Sequence, residues 1–295
     1  MNQRLETTRR QTTLGNPVWV EGFGFWSSRA VRAEFRPAPA NTGIVFVRCD
    51  LPSQPRIPAR VEYRVDSPLR TTLREGMASV EMVEHLLAAL SGLQIDNCEV
   101  WVDAPEMPGL DGSCKAIVKA LVSTSRVTLN AWQPRLNITR LARAGNQDSW
   151  IEARPSPTPG FFVRGHIDYG PVGPIGRQTC KLEITPQSFC QDLAPARTFI
   201  LKEEGDMLRS QNLAMRVTTA DLLVFNEHGP IDNQLRFPDE CVRHKILDIV
   251  GDFSLAACDI SGQLVAHCSG HRLNAELVRA ILKEFEVEKY YQRSA

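Results

Sequence analysis

Val242-Arg243-His244-Lys245-Ile246-Leu247-Asp248 is the stretch on which the reading of this chain turns. Val242, Ile246 and Ile249 recur at the three-to-four-residue spacing of one helical face, in a helix expected over about 239–250. His244 and Asp248 stand four apart, so they project from the same side of that helix, one turn above the other. An imidazole and a carboxylate so placed can reach one metal ion. Taken alone, such a pair is an ordinary surface contact of roughly a few tenths of a kcal/mol. A catalytic zinc site takes three protein ligands and leaves a position for water, so a third ligand and a base must come from elsewhere in the chain.

A second helix reads over 79–91, with Ser79 as its cap, Gly92 as its stop, and Val80, Val83, Leu87 and Leu90 on its core face. Glu84 and His85 interrupt an otherwise apolar surface, where polar groups need partners. Val83-Glu84-His85 with Gly92 echoes Val242-Arg243-His244 with Gly251, since each glycine follows its histidine by seven residues. Both helices follow β-rich sequence and precede a strand and a further helix, which predicts two halves of similar topology. If the two helices pack together, His85 joins His244 and Asp248. Two histidines and a carboxylate suit catalytic zinc, and Glu84 is then the candidate general base.

The chain has 295 residues, enough for two cores. Lysine plus arginine equals aspartate plus glutamate, so no overall charge marks a nucleic-acid binder. The start, with Arg4, Arg9 and Arg10, lacks the apolar stretch of a secretory signal, and no run is long enough for a transmembrane segment. Eight cysteines without a Cys-x-x-Cys pair read as reduced residues of a cytoplasmic protein. Residues 17–50 and 135–188 read mostly as β, residues 123–134 as a domain connection, and a last helix runs from an Asn274 cap to about Tyr291.

Several motifs then fall into one order. They are Arg36-Pro37-Ala38-Pro39-Ala40-Asn41-Thr42-Gly43, Val83-Glu84-His85-Leu86-Leu87-Ala88-Ala89-Leu90, Ile95-Asp96-Asn97, Ala104-Pro105-Glu106-Met107-Pro108 and Leu110-Asp111-Gly112-Ser113. Ala196-Arg197-Thr198-Phe199, Val242-Arg243-His244-Lys245 through Leu247-Asp248, Gly251-Asp252, and Ser269-Gly270-His271 with Asn274 complete the set. In this order the chain resembles the UDP-3-O-acyl-N-acetylglucosamine deacetylases, metal-dependent amidohydrolases of lipid A biosynthesis.

The resemblance implies an α+β fold of two domains, 1–125 and 133–295, each a β-sheet layered with helices. The helix layers pack face to face in a β-α-α-β sandwich with the metal site between the domains. It implies that His85, His244 and Asp248 bind Zn²⁺, although this ligand set also accepts Fe²⁺. Glu84 takes the proton of the attacking water. His271 acts as acid on the leaving amine or as a cationic stabiliser, and Asp252 orients it. Thr198, Phe199 and Lys245 lie near the scissile carbonyl or the sugar nucleotide, and Tyr169 stacks on uracil. The expected protein is a cytoplasmic monomer whose partner is the UDP-acyl-N-acetylglucosamine substrate.

The chain also departs from the family. Trp26 stands where the family's first glycine-rich segment carries histidine, and Ile200 and Arg216-Val217 occupy a segment that is glycine-rich in the family. Such residues narrow or charge the passage for the acyl chain. Gly170-Pro171-Val172 replaces the family's Asn-His-Pro. Two further readings stand beside the first: deacetylation of a related sugar nucleotide with a short or absent acyl chain, and a catalytically silent nucleotide-sugar or acyl binder. His267 reads as structural, and His166 and His228 receive no role.

Overall fold

In a computed structural model, which describes residues 6–284, the two histidine-bearing helices meet. The chain forms α1 (Glu84–Gly92), α2 (Lys115–Val122), the single turn α3 (Pro186–Ser188), α4 (Lys202–Ser210), α5 (Glu240–Ser254) and α6 (His271–Glu284). Almost every residue of α1 and most of α5 are buried. That all-round burial is what a helix shows when it is covered by a sheet on one side and another helix on the other.

The first half is a five-stranded sheet in the order Val18–Phe23, Ala30–Pro37, Cys98–Val102, Ile44–Arg48, Arg56–Pro58. Alternate residues such as Val31, Ala33 and Phe35 turn inward, as a one-sided strand requires. The second half is a seven-stranded sheet in which Asp259–His267 is central. This strand pairs antiparallel with Trp150–Arg154 and parallel with both Arg126–Asn137 and Phe161–Asp168. In each half a helix, a strand and a further helix follow in order, as the sequence echo predicts: α1, Cys98–Val102, α2, and then α5, Asp259–His267, α6. The chain is thus a layered α+β structure. Among the described residues no helix is long and apolar enough to cross a membrane.

Four details differ from the sequence reading. Residues 78–81 are not the start of α1 but a strand, Ala78–Glu81, paired with Thr72–Glu75; Ala78 and Val80 are buried at the period of two that a strand imposes. Met82 then turns the chain with φ 59°, and α1 begins at Glu84 without a side-chain cap. The segment expected as a connection at 123–134 is mostly the long strand Arg126–Asn137. Against it lies Glu6–Leu14, so the beginning of the chain joins the second half's sheet rather than the first. Arg9 sits at this crossing, its guanidinium bonded to Asp96 at 2.7 Å and to Asp259 at 2.6 Å. Asn274 lies inside α6 and is buried, so it does not cap it; the expected continuation of that helix to Tyr291 lies in part outside the described residues.

Gly251 does not end its helix. It lies within α5, where an added Cβ would stand 2.2 Å from the Glu84 carbonyl oxygen, so the missing side chain sets how closely α5 approaches α1. Overpacking of a tight core costs typically about 1–3 kcal/mol. Gly251→Ala is expected to be destabilised by at least that much, because its obstacle is backbone and cannot rotate away. A urea titration would read this as a lower midpoint at unchanged slope.

Candidate metal centre and catalytic site

The contact of α1 with α5 places His85 beside His244 and Asp248. The two imidazoles meet edge to face with centroids 4.9 Å apart. One Asp248 oxygen, Oδ1, lies 3.4 Å from His244 Nε2 and 3.8 Å from His85 Nε2. All three ligand atoms fall within 4.8 Å of one another, and all three residues are buried. Two atoms each about 2.0–2.2 Å from a zinc ion stand roughly 3.3–3.6 Å apart at the tetrahedral angle, close to these separations.

A second observation supports a cation here. Asp248 Oδ1 is buried and has no hydrogen-bond partner, which a carboxylate does not tolerate unless something positive faces it. The other oxygen, Oδ2, accepts from Lys245 Nζ at 3.0 Å. Burial works against the charge on Asp248, yet Lys245 together with His244, His271 and His85 outweighs it and holds the carboxyl well below its usual range. His244 Nδ1 donates to the Ala196 carbonyl at 3.1 Å, which leaves Nε2 as the free lone pair. Burial drives His244 down to about 3, so it is neutral and ready to ligate.

Next to this trio stand a carboxyl group and a second imidazole, those of Glu84 and His271. Glu84 is 2 % exposed, and its Oε2 accepts from the Thr71 N–H at 2.9 Å. Burial pushes it up to about 7; the facing His271 restrains that rise and Asp248 and Asp252 add to it. His271 Nε2 lies 3.8 Å from Glu84 Oε1, and its Nδ1 bonds to Asp252 Oδ2 at 2.8 Å. Burial pulls His271 down, but Asp252 and then Glu84 outweigh it, and the imidazole is pushed up to about 9. Both groups are thus moved upward together, which brings the Glu84 carboxyl close to neutrality and keeps the His271 imidazole charged there. Asp252→Asn removes the larger of the two attractive charges. The midpoint of His271 in an NMR titration is therefore expected to move down from about 9, and an unmoved midpoint would assign the shift to Glu84 instead.

A cavity of about 800 Å³ opens onto these groups. Glu84, His85, Lys245 and His271 give it a polar lining, while Ile200, Leu208, Val217, Leu222 and Val224 give it an apolar one. Leu208 comes from α4, Ile200 and Val224 from a small separate sheet of Phe199–Leu201, Leu223–Asn226 and Gly229–Pro230, and Val217 and Leu222 from the loop between α4 and that sheet's second strand. Thr198, Phe199 and Tyr169 all line the cavity, with Tyr169 edge-on to Phe199 at 5.7 Å. Asp252 stands behind His271, bonded to it and to Asn274 Nδ2 at 2.8 Å.

The departures noted in the sequence separate here. Trp26 lines the cavity and carries the Arg70 guanidinium over its ring at 4.3 Å. Ile200 and Val217 line it too. Arg216 does not: its guanidinium lies over Phe23 at 4.3 Å, so it does not charge the passage. His267 stacks between Trp150 and His166, at 5.9 Å and 4.7 Å. Sequence reasoning missed Thr71, the Ala196 carbonyl and the bond from Asn274 to Asp252. Asn274 is legible as a member of the motif set and as an expected helix cap, but not as a partner of Asp252. Thr71 lies in an irregular segment with no period to single it out.

A family model described as UDP-3-O-acyl N-acetylglycosamine deacetylase matches residues 11–283. The chain is 38% identical over 284 residues to the UDP-3-O-acyl-N-acetylglucosamine deacetylase of Photobacterium profundum, covering 95% of this chain and 93% of that protein. It is 37% identical over 296 residues to the enzyme of that name from Acidithiobacillus ferrooxidans, covering 97% and 95%. It is 38% identical over 280 residues to that of Thermosynechococcus vestitus, covering 95% and 96%.

Proposed function

Because this chain belongs to the UDP-3-O-acyl-N-acetylglucosamine deacetylase family, we propose that it hydrolyses the N-acetyl group of UDP-3-O-acyl-N-acetylglucosamine in lipid A biosynthesis, releasing acetate and the free amine. The observation that carries this reading is the buried trio His85, His244 and Asp248, with its orphaned carboxylate oxygen, set beside the Glu84–His271 pair. The trio would hold the metal. When bound there, a divalent ion supplies Lewis-acid polarisation of the amide carbonyl and of the attacking water. The donor set of two imidazoles and a carboxylate in a closed-in site favours Zn²⁺, with Fe²⁺ the other candidate. Metal analysis of protein grown without added metal would separate the two.

Glu84 takes the proton of the water as it attacks the carbonyl carbon. Its raised pKa makes it basic enough to accept that proton near neutrality and to give it up afterwards. The C–N bond breaks only if nitrogen leaves as an amine, since an amide anion is too poor a leaving group. His271, charged near neutrality, supplies that proton from Nε2, while Asp252 keeps Nδ1 engaged and the ring in place. Lys245 faces the anionic sugar nucleotide, Thr198 the scissile group, and Phe199 with Tyr169 the uracil. The enzyme is a cytoplasmic monomer; its eight cysteines are free, the state that a reducing compartment maintains.

The apolar wall favours a substrate that keeps its acyl chain over one without it, because each buried methylene contributes about 0.8 kcal/mol. The deciding experiment is acetate release from UDP-N-acetylglucosamine derivatives that differ only in the 3-O-acyl chain. Turnover that rises steeply with chain length supports the reading. Equal turnover on the unacylated sugar would move it to a short-chain substrate. Tight binding without any turnover by metal-replete protein would mark a silent binder.

A further inference from the structure

Thr71 is 1 % exposed and lies just ahead of the strand Thr72–Glu75, at the edge of the cavity wall formed by Ser67, Pro68 and Leu69. It makes three hydrogen bonds. Its N–H donates to Glu84 Oε2 at 2.9 Å, its hydroxyl donates to Asp252 Oδ1 at 2.5 Å, and its carbonyl accepts from the Val83 N–H at 3.3 Å. Glu84 belongs to α1 and Asp252 to α5, so one residue grips a carboxylate from each half of the molecule. The second oxygen of Asp252 is already committed to His271 Nδ1 and Asn274 Nδ2, each at 2.8 Å.

On the deacetylase reading given above, we propose that Thr71 is a positioning residue that fixes His271 relative to Glu84 through the rotamer of Asp252. The backbone arm sets the Glu84 carboxylate. The hydroxyl arm holds Oδ1 of Asp252 and so turns Oδ2 towards the imidazole. Asp252 is 1 % exposed, so when the hydroxyl is removed no solvent replaces it. The carboxylate then rotates towards its remaining donors and the ring of His271 follows. Every residue except proline keeps the backbone arm, so substitution at 71 tests the hydroxyl arm alone. A purely structural threonine would lower stability without moving His271.

The test uses the full chain with Thr71→Val, which conserves shape and removes the hydroxyl, and Thr71→Ser, which restores it. The first readout is the Nδ1 proton of His271 in ¹⁵N-histidine-labelled protein, identified by its loss in Asp252→Ala. It is expected at low field in the parent and in Thr71→Ser, and shifted upfield or broadened by exchange in Thr71→Val. The second is kcat for acetate release, expected to fall about tenfold or more in Thr71→Val with KM nearly constant and to recover in Thr71→Ser. An unchanged Nδ1 proton in folded Thr71→Val overturns the proposal, and so does a rise in KM with kcat intact. If Thr71→Val fails to fold, Thr71→Ala removes the same hydroxyl with less bulk and takes its place. A parent protein that releases no acetate would count against the deacetylase reading, while the proton signal would still decide the role of Thr71.

Discussion

Glu84→Gln is expected to lower kcat for acetate release by about 10²–10⁴-fold, the range in which a positioned general base contributes. Glutamine keeps the volume of the buried side chain and can still accept the Thr71 N–H, so the fold and the cavity stay as they are. It cannot take a proton from water. The ligand atoms of His85, His244 and Asp248 are untouched, so metal content should stay at that of the parent, and KM should change little. Steady-state kinetics alongside metal analysis would check both halves of the claim. Retained turnover would place the base elsewhere, and His271 is a poor alternative because Asp252 keeps it protonated near neutrality.

His244→Ala is expected to have the larger effect, because it removes the metal as well as the rate. Loss of a group that merely supports a ligand typically costs about 10–100-fold in metal affinity, and loss of the ligand itself should exceed this. After dialysis the variant should hold far less than one metal per chain and release no measurable acetate. Excess metal should restore little, since His85 and Asp248 are then left with two open positions. The site is buried, so a parallel melting curve is needed to show that the variant has folded. A folded variant with full metal content would remove His244 from the ligand set.

Much of this arrangement is legible in the chain because helices print their geometry at short range. His244 and Asp248 share a face by spacing alone, and the paired glycines point to two similar halves. Gly251 has a meaning in the fold that its place in the sequence echo does not show: α5 runs on through it, past the expected end near residue 250, and uses its missing side chain to approach α1. That requirement arises only from packing. The strand Ala78–Glu81 is hidden because its residues also fit a helical pattern, and tertiary pairing with Thr72–Glu75 decides the matter. Thr71 is illegible for a simpler reason: Asp252 lies 181 residues away along the chain, so nothing in the local pattern marks the pair.

The central place of Asp259–His267 in the second sheet has a consequence for how the protein is made. Until that strand leaves the ribosome, Arg126–Asn137 with Glu6–Leu14, Trp150–Arg154 with Ala142–Gly145, and Phe161–Asp168 with Arg177–Glu183 are three separate ribbons. Isolated two-stranded ribbons are marginal in water. Late pairing over long sequence separations is also slow, and it leaves strand edges open while it waits. The first half, whose five-stranded sheet is complete by Val102, has no such delay. Nascent chains therefore pass through a stage in which one half is finished and the other is three unjoined ribbons, and they are most exposed to aggregation and proteolysis just before the last strand arrives.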